Sequence, residues 1–200
     1  MPIEKTKLIQ TELKAITAVA AGVQSISSEL DLDEVGKVTF FIDHAKDAAA
    51  ASVGQGTEYV IQASEKATGN DTWRALASFT AAMTVPTAMV TDAAEAAGQT
   101  EIECGAVTPA VGDILFFKNA IIANSEWATV VKRIDGVSVY LESGLTNAQA
   151  GTAYVIYTQG EHFLLTVDVE ALTRARVVCN NTKGTTNKAI VWRCAAITRG

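Results

Sequence analysis

Lys37-Val-Thr-Phe-Phe-Ile-Asp43, Glu58-Tyr-Val-Ile-Gln-Ala-Ser64 and Trp73-Arg-Ala-Leu-Ala-Ser-Phe79 are three short runs rich in β-branched and aromatic residues. Gly, Asn and Asp bound them, with Thr68-Gly-Asn-Asp71 before the third, so the stretch predicts consecutive antiparallel strands. In the first run Val38, Phe40 and Ile42 share one face, and Thr39 and Phe41 share the other. Tyr59, Ile61 and Ala63 alternate in the same way with Val60 and Gln62. Between these runs, Ala45–Gly56 holds four consecutive alanines and reads as a surface excursion or a short helical turn.

The same rhythm returns near the C-terminus. Phe163, Leu165, Val167 and Val169 alternate with Leu164, Thr166 and Asp168, and Ala175, Val177 and Cys179 alternate with Arg174, Arg176 and Val178. A turn around Gly184 then leads to a last strand in Lys188–Ile197. With one or two N-terminal strands added, these segments give about seven strands, the number a two-layer sandwich needs to bury both inner faces.

Between the two halves the character changes. Pro86 and Asp92-Ala-Ala-Glu-Ala-Ala-Gly98 interrupt the strand rhythm and read as a linker or a short helix. Short strands follow at Thr100–Cys104, Asp113–Lys118, Trp127–Ile134, Val137–Glu142 and Ala153–Tyr157, with Asp135-Gly136 as a hairpin signal between two of them. Strands this short and closely spaced fit a small barrel. The fold class expected is therefore mainly β: an antiparallel β-sandwich, Ig-like or jelly-roll-like, carrying an inserted small β-barrel and preceded by an N-terminal arm or short helix. The boundaries read as an arm at 1–18, a discontinuous sandwich at 19–82 and 158–200, and a barrel at 83–157.

The N-terminal segment is the ambiguous part. Ile9, Ile16, Val23 and Leu30 recur every seven residues, as a helix stripe would, yet Gly22, Ser25, Ser27, Ser28 and several β-branched residues oppose a long helix. A short helix or extended arm to about Ala15, then a strand through Val23–Leu30, is the expectation, with a packed helix as its rival.

Composition narrows the function classes. A net charge of −6 argues against a nucleic-acid groove, which needs clustered Lys and Arg. Charges in Met1–Lys7 with no apolar run behind them give no secretory signal, and no stretch approaches the roughly 18 apolar residues of a membrane span. The expectation is a chain made in the cytoplasm, with neither nucleic acid nor membrane as partner. Cys104, Cys179 and Cys194 lie far apart in sequence, which excludes C-x-x-C zinc and redox motifs. They read as buried thiols, though Cys179 and Cys194 sit on what look like successive strands and are the pair able to bridge.

Chemical motifs are scarce. Of the two histidines, His44 lies in Asp43-His44-x-x-Asp47, half of a metal site with no third ligand, and reads as surface polarity. His162 opens a strand and reads as a turn or interface residue. Phosphate-cradle and nucleophile-elbow patterns do not occur, and the acids are scattered, so no catalytic, cofactor or metal residue is assigned. Arg174, Arg176 and Arg193 read as a solvated strand face, or as a small basic face suited to an acidic partner.

The pattern Ser28-x-Leu30-Asp31-Leu32, Val38-Thr-Phe-Phe-Ile-Asp43, Tyr59-Val-Ile-Gln-Ala-Ser64 and Asp71-Thr-Trp73 resembles small β-sandwich virion proteins of tailed bacteriophages. Val111-Gly-Asp-Ile-Leu, Ser125-Glu126, Val130-Val131, Asp135-Gly136 and Gly144-Leu145 look like a small barrel also found in phage structural proteins. The two patterns touch about half of the chain, while the Ala-rich loop after Asp43 and the insertion depart from the simple sandwich. The resemblance implies a non-enzymatic, homo-oligomeric virion component, with a trimer favoured. Its partners would be the major capsid protein or other virion proteins, and its role capsid decoration or cement. The alternative is a tail or head–tail accessory, an adaptor or a receptor- or carbohydrate-binding module with Trp73, Trp127 and Tyr140 as stacking platforms. Expected interface residues are Ile9, Leu13 and Ile16 on the arm, Asp47, Gly54 and Gly56 on the loop, and Arg174 and Arg176.

Overall fold

Alternation decides the first layer. In β4 (Lys37–Lys46), Val38, Phe40, Ile42 and His44 are buried on the inner face, while Thr39, Phe41 and Asp43 point outward. The computed structural model describes residues 9–46, 56–69, 72–81, 88–91, 93–104, 108–150, 155–157, 161–182 and 189–199. Around β4 it assembles a four-stranded antiparallel sheet, ordered β1 (Ile9–Val19), β15 (Ile190–Arg199), β4 and β13 (Glu161–Asp168). Facing it is a second sheet of β2 (Gln24–Ile26), β14 (Arg174–Asn180), β5 (Glu58–Ser64) and β6 (Arg74–Thr80), with β3 (Leu30–Asp31) also on β14.

The two inner faces form one core. Tyr59 lies at its centre, with ring centroids 5.3 Å from Phe79, 5.7 Å from Trp192 and 6.4 Å from Phe163. The Tyr59 hydroxyl would be costly to bury alone, and it sits 2.8 Å from His44 Nδ1. His44 is thus a core residue and not the surface group expected. Asp43 and His44 are neighbours on a strand and face opposite sides of the sheet, so they do not share a metal.

On one lateral side the layers are joined: Ser28 N–H donates to the Leu13 carbonyl at 2.8 Å, and Lys14 Nζ donates to the Ile26 carbonyl at 3.1 Å. On the other side β13 and β6 end the sheets, bridged by the Phe79 and Phe163 rings 4.5 Å apart.

The inserted segment builds its own six-stranded sheet. Its order is β7 (Ala88–Val90), β12 (Val155–Tyr157), β9 (Ile114–Phe117), β10 (Glu126–Ile134), β11 (Ser138–Leu141) and β8 (Glu101–Glu103). The two ends of this path meet at the antiparallel bridge Thr91↔Cys104, which closes the sheet into a barrel. Ile102, Leu115, Phe117, Val130, Val139, Leu141 and Leu145 fill it. Gly136, at φ 69°, turns the β10–β11 hairpin, and Ile134 pairs with Ser138 across a three-residue loop.

Three expectations are corrected. The N-terminal segment is neither arm nor helix from Ile9 onward but an eleven-residue strand paired with β15. Two register shifts, at Glu12/Lys14 and Lys14/Thr17, break its period of two, and the broken alternation mimics a seven-residue stripe. The strand expected over Val23–Leu30 is two shorter ones, β2 and β3. Part of the segment read as linker or helix supplies β7.

Candidate functional site

The outward face of the four-stranded sheet carries a charge cluster built from three strands. Register creates it. Asp43 on β4 stands opposite His162 on β13 and opposite Arg193 on β15, so three strands deliver three side chains to one spot. Asp43 Oδ1 is bonded to His162 Nδ1, and Asp43 Oδ2 accepts from Arg193 Nε. Burial alone would raise the Asp43 pKa, but the His162 hydrogen bond and the Arg193 charge outweigh it and hold the carboxyl below its ordinary value.

A groove of about 430 Å³ runs over this cluster, with Glu12 and Lys14 on one wall and Leu164 on the other. Among the described residues of its lining there is no hydroxyl side chain, and Cys194 faces inward with a pKa pushed up to about 12 by burial.

The barrel docks beside the groove. Phe116 packs against Ala45 and Val191 of the sandwich, and Ile16, Ile122 and Trp127 cover their edges. Trp127 packs at a 40° tilt against Phe116 with centroids 4.7 Å apart, and the Arg193 guanidinium carbon lies 5.0 Å from the Trp127 ring centre. The cluster and the domain junction therefore share Arg193.

The expected interface residues scatter. Leu13 is 2% exposed in the sandwich core, and Ile16 packs in the junction, so neither is an outward contact. Ile9 lies in β1 opposite Thr198. Asp47 and Gly54 fall outside the described residues, and Gly56 is buried with φ 81°. Arg174 is buried. It donates to Glu29 Oε2 at 2.8 Å, to the Lys66 carbonyl at 2.8 Å and to the Gly69 carbonyl, and it lies 4.6 Å from the Trp73 ring centre. Arg176 covers the same ring at 4.0 Å and donates to Gln62 Oε1 at 2.9 Å. Both arginines thus hold their own sheet together instead of facing a partner.

The proposed stacking platforms are also covered: Trp73 by the two arginines, Trp127 by Phe116 and Arg193, and Tyr140 by Lys132 at 4.5 Å. All three cysteines are free and buried, and Cys179 and Cys194 belong to opposite sheets. The Asp43–His162–Arg193 cluster was missed as a unit, because its signal is strand register and not spacing.

No protein family matches the sequence, and no curated protein matches it either. Among solved structures, the chain is similar to a cleaved adhesin domain of Lys-gingipain from Porphyromonas gingivalis, at 14% identity over 92% of this chain and 73% of that one, with a TM-score of 0.38. It is similar to a chain of infectious bursal disease virus, Gt strain, at 10% identity over 98% of this chain and 41% of that one, with a TM-score of 0.27. It is also similar to VP17, a capsid protein of bacteriophage P23-77, at 11% identity over 96% and 95% of the two chains, with a TM-score of 0.20. Two of these three structures are viral. Likeness this loose carries none of their roles to this chain.

Proposed function

We propose that the chain is a non-enzymatic structural component of a virus particle, acting as a capsid decoration or cement protein. The observation that carries this reading is the junction. Phe116 and Trp127 seat the barrel on Ala45 and Val191, so two β modules form one block, with a charged groove and a sheet edge left on its surface. Such a block suits bridging work, in which a lattice multiplies modest contacts into firm attachment. The resemblance of the strand and turn residues to phage sandwich proteins supports the same role, with the major capsid protein as partner.

A carbohydrate-binding role needs open aromatic faces, whereas two side chains pack on each of Trp73 and Trp127 and Lys132 lies over Tyr140. The test is mass spectrometry of purified particles from the virus that encodes the chain, followed by heating of particles with and without it. The expected result is a fixed copy number per capsid and earlier rupture of depleted particles. Particles that lack the chain, or a chain found only on tails, would end the decoration reading.

A further inference from the structure

The sandwich has four edges, and three carry features that discourage pairing with another chain. On the first sheet, β1 has two bulges and carries Lys14. On the second, β2 and β3 are three and two residues long, and β6 starts at Arg74 and has a register shift where it pairs with β5. The fourth edge, β13, is different. Its eight residues run in unbroken register along β4, with no Lys, Arg or Pro and no bulge, and no described strand pairs with its other side. Leu164, 64% exposed, stands in the middle of it, and Leu76 of β6 adds a second exposed leucine on the same flank. An edge this long and regular, with an exposed leucine at its middle and Glu161, His162 and Asp168 confined to its ends, is open to pairing with another strand.

The geometry points to a second copy of the same chain, joined by antiparallel pairing of β13 with β13 about a two-fold axis through Leu165. Face parity restricts the choice of register. In an antiparallel pair, residues directly opposite must lie on the same face, so only registers centred on a residue are allowed. Centring on Leu165 sets His162 opposite Asp168 of the second copy, twice by symmetry, and sets Leu164 opposite Thr166 and Phe163 opposite Val167 on their respective faces. Centring on Leu164 sets His162 opposite Thr166 and leaves Asp168 without it. Polar complementarity, an Asp168 carboxylate facing the edge of the His162 ring that Asp43 leaves open, therefore favours Leu165. The contact is isologous and closes at two copies, in contrast to the trimer expected from the sequence. It also joins the outer faces of two sheets, so the two Asp43 grooves lie on one continuous surface. The inference does not depend on the virion role.

Sedimentation equilibrium and native mass measurement test it directly. The wild type is expected to be a dimer. Leu164→Lys, which places a charge on the edge of both copies, is expected to raise the dimer dissociation constant about tenfold or more. Asp168→Lys, which removes the cross-axis pair, is expected to weaken the dimer several-fold. Unchanged far- and near-UV circular dichroism of the variants excludes misfolding as the cause. Hydrogen exchange of the wild type gives a second reading free of mutation: amides in 161–168 should slow as protein concentration rises. A monomer or trimer, a dimer indifferent to Leu164→Lys, or concentration-independent exchange in β13 overturns the proposal. Sensitivity to Leu164→Lys without sensitivity to Asp168→Lys overturns the register.

Discussion

Trp127 of the barrel donates its indole N–H to the backbone carbonyl of His44 in the sandwich, at 3.3 Å. His44 turns its side chain into the opposite side of that sheet to meet Tyr59, so one residue links the domain junction to the sandwich core. The bond satisfies a half-buried donor and fixes the indole against Phe116, the two rings tilted by 40°.

Trp127→Ala removes both the packing and the hydrogen bond, and is expected to cost about 2 kcal/mol. Denaturation followed by circular dichroism should broaden or split into two transitions as the modules uncouple. Trp127→Phe keeps most of the packing and should behave closer to wild type.

His44 gives the fold an acid sensitivity. Burial lowers its pKa to about 3, with the Lys46 charge adding to the effect. The unfolded chain takes up a proton on this residue below about pH 6.5, while the folded chain does not until far lower. Protons therefore favour unfolding, and the stability due to neutral His44 is complete above that pH. As pH falls through the window it declines by up to about 1.4 kcal/mol per unit. His44→Gln should flatten this part of the stability–pH curve measured by urea titration.

Arg174 ties the turn at 65–69 to β14 and supports one face of Trp73. Arg174→Ala strands two carbonyls and the Glu29 carboxylate, and is expected to cost about 2–3 kcal/mol. Limited proteolysis should then cut near Lys66, a site resistant in the wild type.

Burial pushes the thiols of Cys179 and Cys194 up to about 12. Neither holds appreciable thiolate at neutral pH, so both should resist a disulfide reagent such as DTNB in the native state and react once the chain unfolds. Fast labelling of the folded protein would contradict their placement in the core.

The strands with clean alternation, β4, β5 and β13, were legible in the sequence because each turns one face toward a facing sheet. So was the small barrel, from short strands and the Asp135-Gly136 turn. The first strand was not, because its bulges shift Leu13 and Val19 out of a simple period. The Asp43 cluster was not legible either. Its partners lie 119 and 150 residues away along the chain, and no local pattern encodes which strand will lie beside which. Arg174 and Arg176 were seen as a pair, but a basic strand face looks the same in sequence whether it meets a partner or its own Trp73.

The contact of Phe79 with Phe163, the last aromatics before the chain departs into the barrel and the first after it returns, has an engineering consequence. The points of exit and re-entry are neighbours on one flank of the sandwich, so the intervening segment is a cassette: its removal cuts through neither sheet. A short arch from Ala81 to Glu161 should leave a foldable miniature, bared where Ala45, Val191 and Ile16 had been roofed. The same pair of attachment points is a natural place to graft a foreign module for display.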